Sequence, residues 1–140
     1  MIRLVDAVAD PATARAAALD EFRRGGLVVL PTETVYGLAV LPAGPSAVEA
    51  MFRRKGRSDN RPVAVLVADV DQARTVVEPG PAFELLAAAF WPGPLTVVTT
   101  RGVGFSARLG GDQATVGVRC PDHELVRALA AEVGPLAVTS

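Results

Sequence analysis

The order of apolar runs and chain breakers predicts an α/β protein, a twisted, open, mixed β-sheet with helices packed on it. Three observations carry that expectation. Short apolar runs such as Leu27–Leu30 and Val63–Val67 have the length and continuity of buried strands. Alanine-rich or amphipathic stretches of helical length alternate with them. Glycine and proline fall between, at Gly25-Gly26, Pro31, Pro79-Gly80-Pro81 and Pro92-Gly93-Pro94. The pattern gives about six strands interleaved with five helices in one domain, with no repeat, low-complexity tract or linker.

Taken in order, Pro11 to Arg24 is an alanine-rich helix with Leu19 and Phe22 on its apolar face, stopped by Gly25-Gly26. Leu27–Leu30 follows as a strand expected to be buried on both faces. Pro31 takes the chain out of the sheet there, because proline donates no ladder hydrogen bond. Leu38–Leu41 returns as a second strand. Ser46, with Glu49 three residues on, has a capping-box pattern and should open a helix that turns Val48, Met51 and Phe52 inward. That helix ends in Arg53-Arg54-Lys55, where cations complement the helix dipole. Gly56–Pro62 is a polar loop and Val63–Val67 a buried strand. Asp69 should cap a short helix reaching Val77, and Ala82–Phe90 is a further helix. Leu95–Thr100 is β-branched and reads as a strand. Gly102–Gly111 has four glycines and no period, so it reads as a mobile loop. Thr115–Arg119 is a strand, His123–Val133 a helix and Leu136–Val138 the last strand.

Composition narrows the functions. The 140 residues are half hydrophobic, enough for a core without disulfides or metal. Cys120 is the one cysteine and His123 the one histidine, so a zinc cluster or His-rich site is not expected, and no metal ligand is assigned. No apolar run approaches the ~20 residues of a membrane helix, and MIRLVDAVAD lacks a signal-peptide pattern, so the expectation is a soluble cytoplasmic protein with no membrane partner. Net charge is −1, which gives no global basic field for nucleic acid. Of 14 basic residues, only Lys55 is lysine, which makes it the more informative cation.

Candidate chemistry lies in three places. In Gly25–Val40 (GGLVVLPTETVYGLAV), Thr32-Glu33-Thr34 and Tyr36 follow a strand end, where α/β sheets hold ligands. These residues read equally well as a polar turn between strands. Arg53–Arg61 sets five cations against one carboxylate, with Gly56 letting Lys55 and Arg57 splay around an anion. The competing reading is a solvated helix end. Thr115, Gly117 and Arg119 share one strand face and suit a small carboxylate ligand, or equally an edge strand with one wet face. There is no P-loop and no strand-linked G-x-G-x-x-G, and no Ser/His/Asp arrangement for nucleophilic hydrolysis.

PTETVYGL, KGR-S-x-N, WPGPLT, VGVRCP-x-H and PLAVTS, in that order along the chain, resemble the YrdC-like family, the threonylcarbamoyl-adenylate synthases. The resemblance implies a YrdC-like open sheet with a concave, positively lined cavity. It implies a nucleotidyltransferase that converts L-threonine, bicarbonate and ATP into threonylcarbamoyl-AMP and pyrophosphate, for threonylcarbamoyladenosine in tRNA. Carried over by position, Thr32 contacts threonine, Thr34 and Tyr36 shape its pocket, and Arg119 clamps its carboxylate. Lys55 and Arg57 act on phosphate or carbamate as the catalytic pair. Arg61, Thr115, Thr139 and Ser140 complete the nucleotide site, with Mg²⁺ arriving on ATP. Downstream tRNA-modification proteins are the implied partners. Two departures follow from the same resemblance. Leu66 stands where some members have a histidine, and residues 1–140 are expected to form a single YrdC-like domain lacking the family's C-terminal portion. The alternative expectation is a non-catalytic RNA-binding or assembly module with a YrdC-like cavity, using the Arg53–Arg61 run.

Overall fold

The computed structural model describes residues 1–56, 58 and 61–140. Six strands and five helices follow one another as α1 (Pro11–Arg23), β1 (Val28–Leu30), β2 (Gly37–Val40), α2 (Pro45–Lys55), β3 (Ala64–Leu66), α3 (Val70–Ala73), α4 (Pro81–Phe90), β4 (Val97–Thr100), β5 (Thr115–Arg119), α5 (Glu124–Val133) and β6 (Leu136–Thr139). The strands form one sheet in the order β1-β2-β6-β3-β5-β4. Only β3 and β5 run parallel, with Leu66 opposite Arg119. The other neighbours are antiparallel. The sheet is therefore mixed and open, as its sequence pattern predicts.

Alternation along each strand divides the core in two. On one face Val40, Val65, Val118 and Ala137 pack against Val48 and Met51 of α2 and Phe83 and Ala87 of α4. On the other, Leu30, Ala39, Leu66 and Leu136 meet Leu19 and Phe22 of α1 and Val126 and Leu129 of α5. Burying a side chain the size of Phe22 or Met51 contributes roughly 1.5–3 kcal/mol. Arg15 and Arg23 of α1 both reach Glu132 of α5 at 2.9 Å, joining the two helices at their exposed rim.

Helix starts follow local chemistry. Asp10 caps α1 by accepting the Thr13 N–H at 3.1 Å, with Pro11 in the first turn. Asp69 does the same for α3 through the Gln72 N–H at 2.7 Å. Helix α2 differs from expectation. Its N-cap is Gly44, Pro45 takes the first turn, and Ser46 lies inside the helix, so no capping box forms. Proline's fixed φ and missing N–H suit the first helical position and set the start two residues earlier than the Ser46 pattern implies. Gly56, at φ 60°, ends the helix in the left-handed conformation that glycine adopts without strain.

Three further expectations change. β1 is an edge strand, so Val29 is 63% exposed and only Leu30 is buried. Helix α3 stops at Ala73, and Val77 bridges Arg101 instead. The segment after β4 is tethered: Leu109 is buried, its carbonyl accepts the Val63 N–H at 2.9 Å, and the Arg101 guanidinium bonds the Ala107 carbonyl. No helix among the described residues is long and apolar enough to cross a membrane.

Candidate functional site

Helices α1 and α5 cover only part of their sheet face. Where they stop, β2, β6, β3 and β5 expose a cleft with two lobes. The larger, about 310 Å³, is lined by Thr32 and Tyr36 from the β1–β2 turn, Ala64 and Leu66 of β3, Arg119 of β5 and Thr139 of β6. The smaller, about 180 Å³, holds Thr115, Gly117, Arg101 and Leu109. Pro62, Val63, Ala64 and Thr96 border both, so the lobes are continuous. The register explains the floor. Ala64 lies opposite Val138 and both line the larger lobe with Gly37, where the small residues Gly37 and Ala64 leave depth above the sheet.

The β1–β2 turn folds around one oxygen. Thr32 Oγ1 accepts the N–H groups of Thr34 and Val35, each at 3.2 Å, and donates to the Val35 carbonyl at 2.7 Å. Its 3.0 Å contact with Thr34 Oγ1 then makes Thr34 the donor. Thr34 Oγ1 in turn accepts from Arg119 Nη1 at 3.2 Å. The hydroxyls that look like ligand contacts in the sequence thus build the turn first. Thr32 reaches the larger lobe, whereas Thr34 stands behind its wall. Tyr36 lies at the mouth with its side chain exposed.

Arg119 is the central cation. Its Nε donates to the Gly93 carbonyl at 3.0 Å, Nη1 to Thr34, and Nη2 to the Glu33 carboxylate. The other Glu33 oxygen accepts the Asp122 backbone N–H. Gly93 also donates its N–H to the Cys120 carbonyl at 2.8 Å, so the turn after α4 is stitched to the end of β5 in both directions. Burial pulls the Arg119 guanidinium down from its ordinary value, while the Glu33 carboxylate favours the charged form. Arginine stays cationic at neutral pH under either influence. Burial likewise pushes the Cys120 thiol up, and Cys120 lies behind the sheet near the Ala68 carbonyl. His123 sits at the N-cap of α5 without a capping bond, its Nδ1 buried and unpartnered.

The structure thus brings Thr32, Tyr36, Arg119, Thr139 and Ser140 to one lobe and Thr115 to the next. Lys55 is exposed at the end of α2 and Arg61 is exposed beyond it, and neither borders a lobe. Arg57 lies outside the described residues. Leu66, at the position of the expected histidine, is 3% exposed on the cleft floor. Two contributors were missed. Glu33 had a visible signal, a carboxylate between two hydroxyls, but its partner is 86 residues away. Arg101 had none, being one arginine among many. Among the described residues, no three His, Cys, Asp or Glu side chains gather to hold a metal.

An open mixed sheet carrying a two-lobed cleft with an arginine in its wall places the chain among the open-sheet α/β proteins. Within that class, the Sua5–YciO–YrdC family model, described as telomere recombination, matches residues 20–140. The chain belongs to this family. It is 39% identical over 134 residues to the threonylcarbamoyl-AMP synthase of Bacillus subtilis, covering 94% of this chain and 38% of that protein. It is 41% identical over 129 residues to the human threonylcarbamoyl-AMP synthase, covering 89% and 44%. A crystal structure of Pyrococcus abyssi Sua5 complexed with L-threonine superposes with a TM-score of 0.82 at 36% identity, covering 90% of this chain and 38% of that one. The chain therefore spans less than half the length of each of these relatives.

Proposed function

We propose that this chain contributes the substrate cleft for L-threonylcarbamoyladenylate synthesis, in which L-threonine, bicarbonate and ATP give threonylcarbamoyl-AMP, pyrophosphate and water, for threonylcarbamoyladenosine in tRNA. The observation that carries the reading is Arg119. It is a mostly buried guanidinium in the wall of a cleft whose described lining has no Asp or Glu side chain. With Arg101 bordering the smaller lobe, the described lining is positive, as substrates bearing carboxylate and phosphate require. Likeness to relatives named threonylcarbamoyl-AMP synthase, and to a Sua5 structure holding L-threonine, supports the same assignment.

In this reading the larger lobe takes the amino acid. Arg119 keeps one N–H on each terminal nitrogen for its carboxylate, and Thr32 and Tyr36 flank the side chain. Thr34 acts through Arg119. The nucleotide lies along Thr115, Thr139 and Ser140, its phosphates directed out of the two lobes toward Lys55, Arg57 and Arg61, and magnesium enters as part of the MgATP substrate. A carbamate oxygen attacks the α-phosphorus and pyrophosphate leaves. That step needs in-line positioning and charge neutralisation more than a covalent nucleophile. Downstream tRNA-modification proteins would consume the product.

The test follows pyrophosphate from ATP with bicarbonate, with and without L-threonine. Threonine-dependent release supports the reading, and threonine-independent release refutes it. Binding of both substrates without release would favour a binding module instead, with the exposed Arg53–Lys55 helix end as its polyanion contact.

A further inference from the structure

We infer that Glu33 is a positioning residue that fixes the Arg119 guanidinium in the cleft wall. The ligand Arg119 serves rests on the amino-acid reading above, but the positioning does not. Glu33 does not border either lobe, whereas Arg119 does. The carboxylate therefore meets the guanidinium from behind the wall.

The pair differs from an ordinary surface bridge. Its side chains are only 12% and 23% exposed, and both carboxylate oxygens are used, one by Arg119 and one by the Asp122 N–H. A long arginine side chain visits many rotamers unless its fork is held. Here two separate segments hold it at three points: Gly93 after α4, and the adjacent Glu33 and Thr34 of the β1–β2 turn. Gly93 takes the Nε edge and Thr34 takes one N–H of Nη1. Among the described residues only Glu33 holds Nη2, so it sets the tilt of the remaining N–H groups. A carboxylate ligand reads that tilt directly, because bidentate pairing needs both donors in its plane. Glu33 also offsets part of the arginine's charge.

The experiment uses the full chain, its Glu33→Gln and Glu33→Asp variants, and Arg119→Lys to identify the Arg119 Nε–H resonance by its loss. The glutamine keeps size but removes charge and presents an amide to one donor. The aspartate keeps charge but is one methylene too short to reach both partners. Solvent exchange of the Arg119 Nε–H should be slow in the native chain and roughly tenfold faster in both variants, and L-threonine affinity should fall by roughly tenfold or more, as misplacement of a contacting group does. The Trp91 Nε1–H, bonded to the Leu95 carbonyl at 2.8 Å, reports an intact neighbouring turn and should not change. Unchanged Arg119 exchange in folded variants overturns the proposal. Loss of the Trp91 signal in both variants also overturns it, since Glu33 would then be a staple of the fold. Faster Arg119 exchange in a chain that never binds threonine keeps the positioning and refutes the amino-acid reading alone.

Discussion

Gly37 opens β2 on the floor of the larger lobe, and its missing side chain is a packing requirement. A Cβ placed there would lie 2.5 Å from Val138 Cγ1 on the neighbouring strand and 3.7 Å from the Thr139 carbonyl oxygen. Ordinary carbon–carbon contact begins near 3.5 Å. Valine relieves such a clash poorly, because branching at Cβ restricts χ1. Gly37→Ala should therefore cost about 1–3 kcal/mol in overpacking. The lower entropy of an unfolded alanine returns roughly 0.4–1 kcal/mol. The net loss is about 1–2 kcal/mol. With an unfolding entropy of roughly 2.1 cal/mol/K per residue, the midpoint of thermal unfolding should drop by about 5 °C. Val138→Ala removes the obstructing methyl groups. The double variant should then be more stable than the two single losses predict by about 1 kcal/mol. Denaturant titration of all four proteins measures the cycle. Unchanged stability in Gly37→Ala, or strictly additive losses, would refute the argument.

Three other perturbations test different parts of the molecule. Leu109→Ala removes the buried anchor of the segment after β4 and should cost about 2–4 kcal/mol in a denaturant titration, within the range for core leucines; a loss near zero would mean that the segment is mobile after all. Arg119→Ala should abolish most L-threonine binding and spare ATP more, by calorimetry with each ligand; equal losses would mean a collapsed site. Glu132 is held below the usual carboxylate range by the Arg15 hydrogen bond first; burial opposes it next, and the Arg23 hydrogen bond adds to the lowering. Its folded value is thus depressed, so the stability it adds is present above its ordinary pKa of 4.5 and is lost as pH falls through the lower folded value. Thermal melts from pH 6 down to about pH 3 should therefore fall less steeply in Glu132→Gln than in the native chain.

Much of this architecture is written locally. Proline and glycine punctuation, with the change between periods of two and 3.6, is enough to place every strand and helix. What local pattern cannot carry is the neighbour. Leu27–Leu30 has the composition of a central strand, yet it lies at the edge, because strand order depends on pairing and not on hydropathy. Leu109 looks like a residue in a glycine-rich loop, since the Val63 N–H that fixes it lies across the fold. Ser46 failed for a different reason, a stronger competing signal in Pro45. The cleft divides the same way. Thr32, Tyr36 and Arg119 were visible as residue types suited to a ligand, and they do border one lobe. Glu33 was visible only as a charge, because its meaning comes from β5 and from the turn before α5.

Strand β6 has a consequence for how the molecule assembles. It comes last among the strands but lies between β2 and β3, pairing with both. Without it the sheet falls into a β1–β2 hairpin and a separate β3–β5–β4 ribbon. An isolated two-stranded hairpin is marginal in water. The cleft takes Gly37 from the first piece and Thr96 and Arg119 from the second, so neither piece contains it. Joining them requires loops spanning most of the sequence to close before the contacts reward it, which places refolding on the slow side for a domain of this size. The cleft therefore forms only once Leu136–Thr139 is paired with both β2 and β3, so its two walls stand or fall with that one strand.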